Sequence, residues 1–318
     1  MRLVFMGSPK EVIAPLDALC RHAAAVGDEL VTVVSQAARP VGRRLIETDP
    51  PVAQHAKAAG LKVLQPLKAN DPDFLAALRA LAPDVIITAA YGQILSEEFL
   101  TIPQRATINI HPSLLPAYRG ATPVPAALLD GLNETGVSIL FTVRAMDAGN
   151  LILQEAATVL EDETQEALTG RLFERGGSLL PRALELLRDQ TFRGTPQDES
   201  QVTQCRKIKK EHGEIQWQRP AHEIKRRFQA YFPWPGSFTH CGGKKVTLMA
   251  LKKWPRDTAR PSLASGELSL AKALKGLAVG TGDGEPLLIT RIKPEGGQEM
   301  EASAFWNGLK PGTERRLT

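Results

Sequence analysis

The sequence predicts an α/β protein: a doubly wound parallel sheet in the first part of the chain, followed by a smaller domain of short strands. Three observations carry this. Apolar strand patterns alternate with helical ones from Arg2 to Ala89, as a parallel sheet with crossover helices requires. Thr191 to Thr203 is a polar stretch with Gly194 and Pro196, the composition of a connection. Beyond it, short strand patterns are separated by glycine turns. A chain of 318 residues exceeds the usual size of one core, so two domains are expected, with boundaries at 1–190, a linker at 191–206, and 207–318.

In order, Arg2 to Met6 is a short apolar strand that ends at Gly7-Ser8-Pro9, and Glu11 to Arg21 carries helical spacing. Leu30 to Ser35 reads as a strand, Pro51 to Ala59 as a helix and Lys62 to Leu64 as a short strand. Asp71 to Leu81 reads as a helix opened by Asp71-Pro72 and closed by Pro83. Asp84 to Ala89 is a continuous apolar run, the pattern of a strand buried on both faces. These units predict a Rossmann-like parallel sheet, but the first turn lacks the Gly-x-Gly-x-x-Gly fingerprint, so no dinucleotide site follows from it. Thr122 to Leu129 reads as a helix, Val137 to Val143 and Leu151 to Leu160 as strands, and Glu163 to Asp189 as a long helical segment interrupted at Gly176-Gly177 and Pro181. After about Lys207 come a helix at Ala221 to Ala230 and short strands at Lys245 to Leu251, Gly276 to Gly280 and Pro286 to Ile292. Many short strands on a small domain suggest a β-barrel of the oligonucleotide-binding (OB-like) type.

Composition sets further bounds. The 43% hydrophobic content suits ordinary globular packing. No apolar run has the length of a membrane span, and Arg2-Leu3-Val4-Phe5 reads as a strand instead of a signal peptide, so a cytoplasmic location is expected. Three cysteines, Cys20, Cys205 and Cys241, fall in no disulfide, redox or ligand pattern, and the six histidines show no metal-ligand spacing. The net charge of +4 is unevenly placed: Gln201 to Arg256 holds 13 Lys/Arg against 3 Asp/Glu and leaves the rest of the chain net negative. Such a segment suits a polyanion, with RNA the first candidate and Arg206, Lys207, Lys209, Lys210, Lys225, Arg226 and Arg227 the candidate contacts.

The chemistry is expected in Thr107 to Gly120. If Thr107 to His111 is a strand, Asn109 and His111 project from one face, which sets a carboxamide donor beside an imidazole. Pro112 ends the strand, and Ser113 to Pro116 leaves it as a loop at the position where open α/β sheets bind ligands. Asp147 falls in the turn between two strands, where an aspartate on its own more often forms an Asx-turn than a catalytic site.

The string Asn-Ile-His-Pro-Ser-Leu-Leu-Pro-Ala-Tyr-Arg-Gly from Asn109 closely resembles the signature of the folate-dependent formyltransferases, with Met146-Asp147-Ala148-Gly149-Asn150 standing where that family carries its catalytic aspartate. The resemblance covers nearly the whole chain: Gln36, Arg39-Pro40, Gly42-Arg43, Tyr91-Gly92, Lys209, Trp217, Pro233-Trp234-Pro235 and Gly280-Thr281-Gly282-Asp283-Gly284 belong to it, the later motifs pointing to the branch that acts on initiator tRNA. It implies formyl transfer from 10-formyltetrahydrofolate to the α-amino group of initiator methionyl-tRNA, with Asn109, His111 and Asp147 as catalytic residues. No metal is implied, and whether His111 or Asp147 is the immediate base stays open. It places the folate against Tyr91, Gln93, Ile94, Leu95 and Ser113, Leu114, Leu115, Pro116, and the acceptor end of the tRNA against Arg39, Arg43 and Arg44. Three departures stand out: Glu47 and Asp49 bring acids into the early loop, Ala38 replaces the usual aspartate, and Asn150 follows the Asp-x-Gly. Formyl transfer to a small amine, such as an amino-sugar nucleotide, shares the first domain and is the alternative enzyme. An RNA-binding protein without folate chemistry is the alternative of another class.

Overall fold

A computed structural model describes residues 1–42, 45–310, 312 and 314–318. The chain forms two compact units, one of Met1–Pro123, Glu134–Val159 and Leu168–Cys205, the other of Val124–Asn133, Leu160–Ala167 and Arg206–Thr318.

The first unit is built on strands β1 (Arg2–Gly7), β2 (Glu29–Val34), a small hairpin of β3 (Arg39–Val41) and β4 (Ile46–Thr48), then β5 (Val63–Leu64), β6 (Val85–Ala89), β7 (Ala106–His111), β8 (Glu134–Phe141) and β9 (Leu151–Thr158). Its sheet has seven strands in the order β5-β2-β1-β6-β7-β8-β9. From β5 to β7 every pairing is parallel. The parallel sheet expected from the units up to Ala89 is thus present, and beyond it β8 runs antiparallel to β7 and β9 antiparallel to β8. Residues 142–150 hold no helix and are too short for a crossover, so they return the chain as a hairpin.

Helices α1 (Ile13–Val26), α2 (Pro51–Ala58), α3 (Pro72–Ala80), α4 (Glu97–Leu100) and, from Leu168 on, α6 (Gln165–Leu186) accompany these strands, while α5 (Pro123–Asp130) falls in the second unit but for its first residue. Asp71 caps α3 by accepting from the Asp73 N–H, with Pro72 at its first turn, as the sequence signal requires. Alternate residues of β1 feed two cores: Leu3 and Phe5 pack with Leu16 and Leu19 of α1 and Leu180 of α6, while Val4 and Met6 pack with Leu75 of α3 and Phe99 of α4. Both faces of the sheet are therefore covered. The interruption expected in α6 does not occur. A Cβ at Gly176 would sit 2.5 Å from Ile110 Cγ2, and one at Gly177 2.9 Å from Pro15 Cα, so the glycines allow close approach instead of ending the helix.

Residues 191–206, expected as a linker, make backbone contacts with the first unit. Thr195 and Leu151 exchange backbone bonds at 2.8 Å each, and Arg119 forms a parallel bridge with Gln204.

In the second unit, α7 (Ala221–Tyr231) precedes β10 (Ser237–Cys241), β11 (Lys244–Lys253), β12 (Leu268–Ala271), β13 (Gly276–Val279), β14 (Leu287–Pro294), β15 (Met300–Glu301) and α8 (Ala302–Asn307). They form an antiparallel sheet in the order β10-β11-β14-β13-β12, with β15 on β14. The last residues bond to both ends of this order: Thr318 exchanges bonds with His240 at 2.9 and 3.0 Å, and the Leu268 N–H donates to Arg315 at 2.9 Å. Trp217, 2% exposed, lies in the core of this unit and donates its indole N–H to Thr239 at 2.9 Å.

The late glycine-rich motif is structural. Gly282 must lack a side chain, because a Cβ would lie 1.8 Å from the Gln218 carbonyl. That approach brings the Asp283 carboxylate to 3.2 Å from the first N–H of α7, at Ala221, where no side chain of the preceding residue caps the helix. Burial raises the Asp283 pKa, but bonds from Thr281 and from the Ala221 N–H outweigh it and hold the carboxyl below its usual range. Asp283→Ala should cost about 1 kcal/mol near neutral pH, as loss of a helix cap does. A carboxyl depressed by folding contributes fully above its unfolded value and loses that contribution as pH falls through the folded one, so the deficit should narrow below about pH 4. Urea unfolding across pH checks both, and a deficit that does not change with pH contradicts this capping account.

Candidate active site

Parallel pairing of β6 with β7 puts Thr88 opposite Asn109. Thr88, 6% exposed, is the one polar side chain of an otherwise apolar strand. Its hydroxyl lies 2.9 Å from Asn109 Oδ1 and 3.1 Å from the Ile108 carbonyl. With Oδ1 turned to Thr88, the amide hydrogens of Asn109 are left to face outward as donors.

His111, two residues along the same face, is 4% exposed. Its Nε2 lies 3.0 Å from the Tyr118 carbonyl, which can only accept, so the hydrogen sits on Nε2. Nδ1 is turned toward Asp147, with Oδ2 at 3.6 Å. That distance allows charge attraction and no hydrogen bond. The Tyr118 carbonyl thus orients the imidazole by a hydrogen bond, and Asp147 Oδ2 accepts the Gly120 N–H at 2.8 Å. Tyr118 and Asp147 both have positive φ, 61° and 52°. Non-glycine residues in that region are uncommon and persist where surrounding bonds over-determine them.

Polar groups on β8 and β9 fix the loop after β7. The Ser138 hydroxyl donates to the Ser113 carbonyl at 2.6 Å and accepts from the Leu115 N–H at 3.1 Å and Gln154 Nε2 at 2.8 Å. Gln154 also donates to the Leu115 carbonyl at 2.7 Å. Ser113 and Leu115 are buried, and the Ser113 carbonyl and both main-chain groups of Leu115 are spent on these bonds, so the two residues shape the loop from within. Leu114 lies over Gly136, where a Cβ would come within 2.5 Å of its Cδ2, and Pro116 is half-buried.

The other loop expected to hold a flat heteroaromatic divides in two. The Tyr91 ring, which the resemblance places among the folate contacts, is in the core with Met6, Val34 and Phe99. Its hydroxyl has no partner, burial pushes its pKa up to about 12, and its carbonyl is taken by Gln36 Nε2 at 2.7 Å. Gln93 is likewise committed, accepting from the Ala69 N–H at 2.8 Å. Ile94 is 74% exposed and Leu95 half-buried, so the apolar surface of this loop comes from these two.

Of the expected polyanion contacts, Arg39 on β3 and Arg206, Lys207, Lys209 and Lys210 are exposed, while Arg43 and Arg44 lie outside the described residues. Arg226 is half-buried with its guanidinium over Gly131, and Arg227 stacks on Tyr231 at 5.3 Å while donating to the His212 carbonyl. Lys225 is a correction: it is 3% exposed, with its ammonium 2.8 Å from Asp162. A buried ammonium is kept by its partner and is not available to a phosphate. Among the described residues, no cluster of His, Cys, Asp and Glu could hold a metal ion, and no helix is long and apolar enough to cross a membrane.

Thr88, Ser138 and Gln154 carry no expected role, yet Thr88 gives a signal, a lone hydroxyl inside a buried apolar strand. Gln197, which donates to the carbonyls of Asp147 and Gly149, gives none.

An α/β sheet with a carboxamide, a buried imidazole and a carboxylate gathered at the end of β7 is the arrangement of a group-transfer enzyme acting on a carbonyl. The chain belongs to the formyl transferase family: residues 1–184 match the formyl transferase model and residues 207–310 match that of the formyl transferase C-terminal domain. Its relatives include the methionyl-tRNA formyltransferase of Anaeromyxobacter dehalogenans, 42% identical over 311 residues, covering 98% of this chain and 97% of that protein. The methionyl-tRNA formyltransferase of Thermus thermophilus is 39% identical over 317 residues, covering 98% of each. Among solved structures, HypX from Aquifex aeolicus in complex with tetrahydrofolic acid shares the fold, with a TM-score of 0.67 and 18% identity over 99% of this chain and 48% of that one.

Since the Tyr91 hydroxyl is buried without a partner, Tyr91→Phe should leave stability unchanged or raise it by up to about 1 kcal/mol. Thermal melting checks this. A clear loss would mean that the hydroxyl has a partner after all.

Proposed function

We propose that this protein transfers the formyl group of 10-formyltetrahydrofolate to the α-amino group of methionine on initiator methionyl-tRNA. One observation carries the chemical part: His111 keeps its hydrogen on Nε2 in the bond to Tyr118 and turns a free Nδ1 toward a carboxylate 3.6 Å away. Such a nitrogen accepts a proton and, once charged, is stabilised by Asp147.

The amine attacks the formyl carbon, and the carbonyl oxygen takes up negative charge. Asn109 Nδ2 donates to that oxyanion, oriented by the Thr88 bond to its Oδ1. The proton lost by the attacking amine passes to His111 Nδ1. As the bond from carbon to the folate nitrogen breaks, the same proton moves to that nitrogen, so His111 ends as it began. The folate is read as lying against Ile94, Leu95, Leu114 and Pro116, with loop main chain supplying hydrogen bonds to the heteroaromatic ring.

The acceptor follows from likeness over the whole chain to proteins named for methionyl-tRNA, and from the exposed cations of the second unit. We read residues 1–190 as the catalytic domain and 207–318 as the tRNA-binding domain. An OB-like barrel is supported there by the tail residues bonded to both ends of the strand order. We read the enzyme as cytoplasmic, in keeping with a charged tRNA as its substrate.

Formylation of charged initiator tRNA, compared with an amino-sugar nucleotide, tests the reading; transfer to the small amine alone overturns it. Asn109→Ala and His111→Ala should each lower single-turnover rates by about 10² to 10³ without loss of tRNA affinity. Asp147→Asn should remove most activity at nearly constant side-chain size and change the pH–rate profile. Replacing Lys209 and Lys210 with Ala should weaken tRNA binding and flatten its log–log salt dependence by roughly 0.7 to 0.9 for each phosphate no longer neutralised. An unchanged slope would make the pair a solvated face.

A further inference from the structure

We propose that Gln197 is a positioning residue that holds the Asp147 carboxylate in place beside His111. It lies in a polar segment outside the signature, and it touches none of the reacting atoms. The two amide hydrogens of Gln197 are both used, on the Asp147 carbonyl at 2.8 Å and the Gly149 carbonyl at 2.7 Å. Its Oε1 accepts from Arg119 at 2.8 Å (Nη2) and 3.1 Å (Nε). A guanidinium only donates, so the amide orientation is fixed and Gln197 has no spare bonding capacity on the hydrogen side. Arg119 is 8% exposed and is held in turn by Glu199, whose oxygens lie 2.8 and 3.2 Å from its Nη atoms.

These bonds close a ring. Gln197 grips the main chain of Asp147 on one side and Arg119 on the other. Arg119 is joined by one peptide bond to Gly120, whose N–H returns to Asp147 Oδ2 at 2.8 Å. The turn needs such a clasp for two reasons. Asp147 has a φ of 52°, unfavourable for any residue with a Cβ, and Gly149 packs so tightly on the Phe141 carbonyl that a Cβ would lie 1.8 Å from it. Neither constraint aims the carboxylate. The link from Gln197 through Arg119 to Gly120 does, because it ties the turn to the strand-end loop that also carries the Tyr118 carbonyl. The same segment reinforces that loop: the Tyr118 N–H donates to Thr203 Oγ1 at 2.8 Å and the Arg119 N–H to the Thr203 carbonyl at 2.9 Å.

The catalytic consequence rests on the formyl-transfer reading; the clasp itself does not. Gln197→Glu keeps the shape and the acceptor for Arg119 but has no hydrogens to give, and Gln197→Met removes both halves. In the full chain, both should melt close to wild type. The Gly120 amide should exchange with solvent at least about tenfold faster, the effect of loosening one charge-assisted bond. kcat should fall about 10²-fold with KM for 10-formyltetrahydrofolate unchanged, since misplacing a catalytic group by about 1 Å has that cost. Unchanged Gly120 exchange overturns the clasp whatever the activity. Faster exchange with wild-type kcat, or a loss shared between kcat and KM, would make Gln197 merely structural and overturns its positioning role. If wild type formylates no charged tRNA, the functional reading fails, and Gly120 exchange still decides the clasp.

Discussion

The site depends on one bond, from His111 Nε2 to the Tyr118 carbonyl. It sets the tautomer, and the tautomer decides which nitrogen is free for chemistry. Were Nε2 bare, the nitrogen facing Asp147 would carry the hydrogen, and the imidazole would have no basic lone pair beside a carboxylate able to stabilise its charged form. The carbonyl is backbone and cannot be replaced by changing a side chain. The protein therefore controls its histidine through loop geometry, and most of the polar network serves that geometry.

This explains why backbone strain gathers here. Tyr118 and Asp147 have positive φ within one cluster of bonds, and each contributes a group that a relaxed conformation would move: Tyr118 its carbonyl, Asp147 its carboxylate. A conformation that costs free energy persists only when several bonds would be lost together on its release. The Tyr118 main chain bonds to His111, Thr203 and Cys205, and the Asp147 turn is held by Gln197 and Gly120. Segment 195–205 is thus tied in energetic terms to the His111 and Asp147 cluster, although its composition is that of a connection.

The legible parts of the sequence are those where one residue type has one physical use. Asn109 and His111 could be placed on a common face because strand periodicity is rigid, and Asp71-Pro72 marked the start of α3 because capping chemistry is local. What was not legible depends on partners distant in the chain. Gly176-Gly177 reads as a helix breaker until Ile110 and Pro15 are seen against it. Tyr91 stands among the residues the resemblance sets against the folate until its ring is found among Met6, Val34 and Phe99. Gln197 is one glutamine in a polar stretch, and nothing local distinguishes a residue that spends all its hydrogen bonds from one that faces water.

The basic segment shows the same limit for charge. Counting cations from Gln201 to Arg256 treats each as available, yet Lys225 is sequestered by Asp162, and Arg226 and Arg227 spend part of their surface on Gly131 and Tyr231. Next to Lys225 on α7, Gln229 donates to the carbonyls of Glu161 and Glu163 at 2.9 and 3.0 Å. One face of this helix is therefore committed to securing residues 161–163 within its own unit. Burial of a cation is tolerable only with its partner in place, so those residues and α7 order one another. Between Gln201 and Arg256 the exposed cations stand before the helix, at Arg206, Lys207, Lys209 and Lys210, and after it, at Lys244, Lys252, Lys253 and Arg256. Exposed lysines can adjust their rotamers, which suits contacts that follow a backbone instead of reading bases.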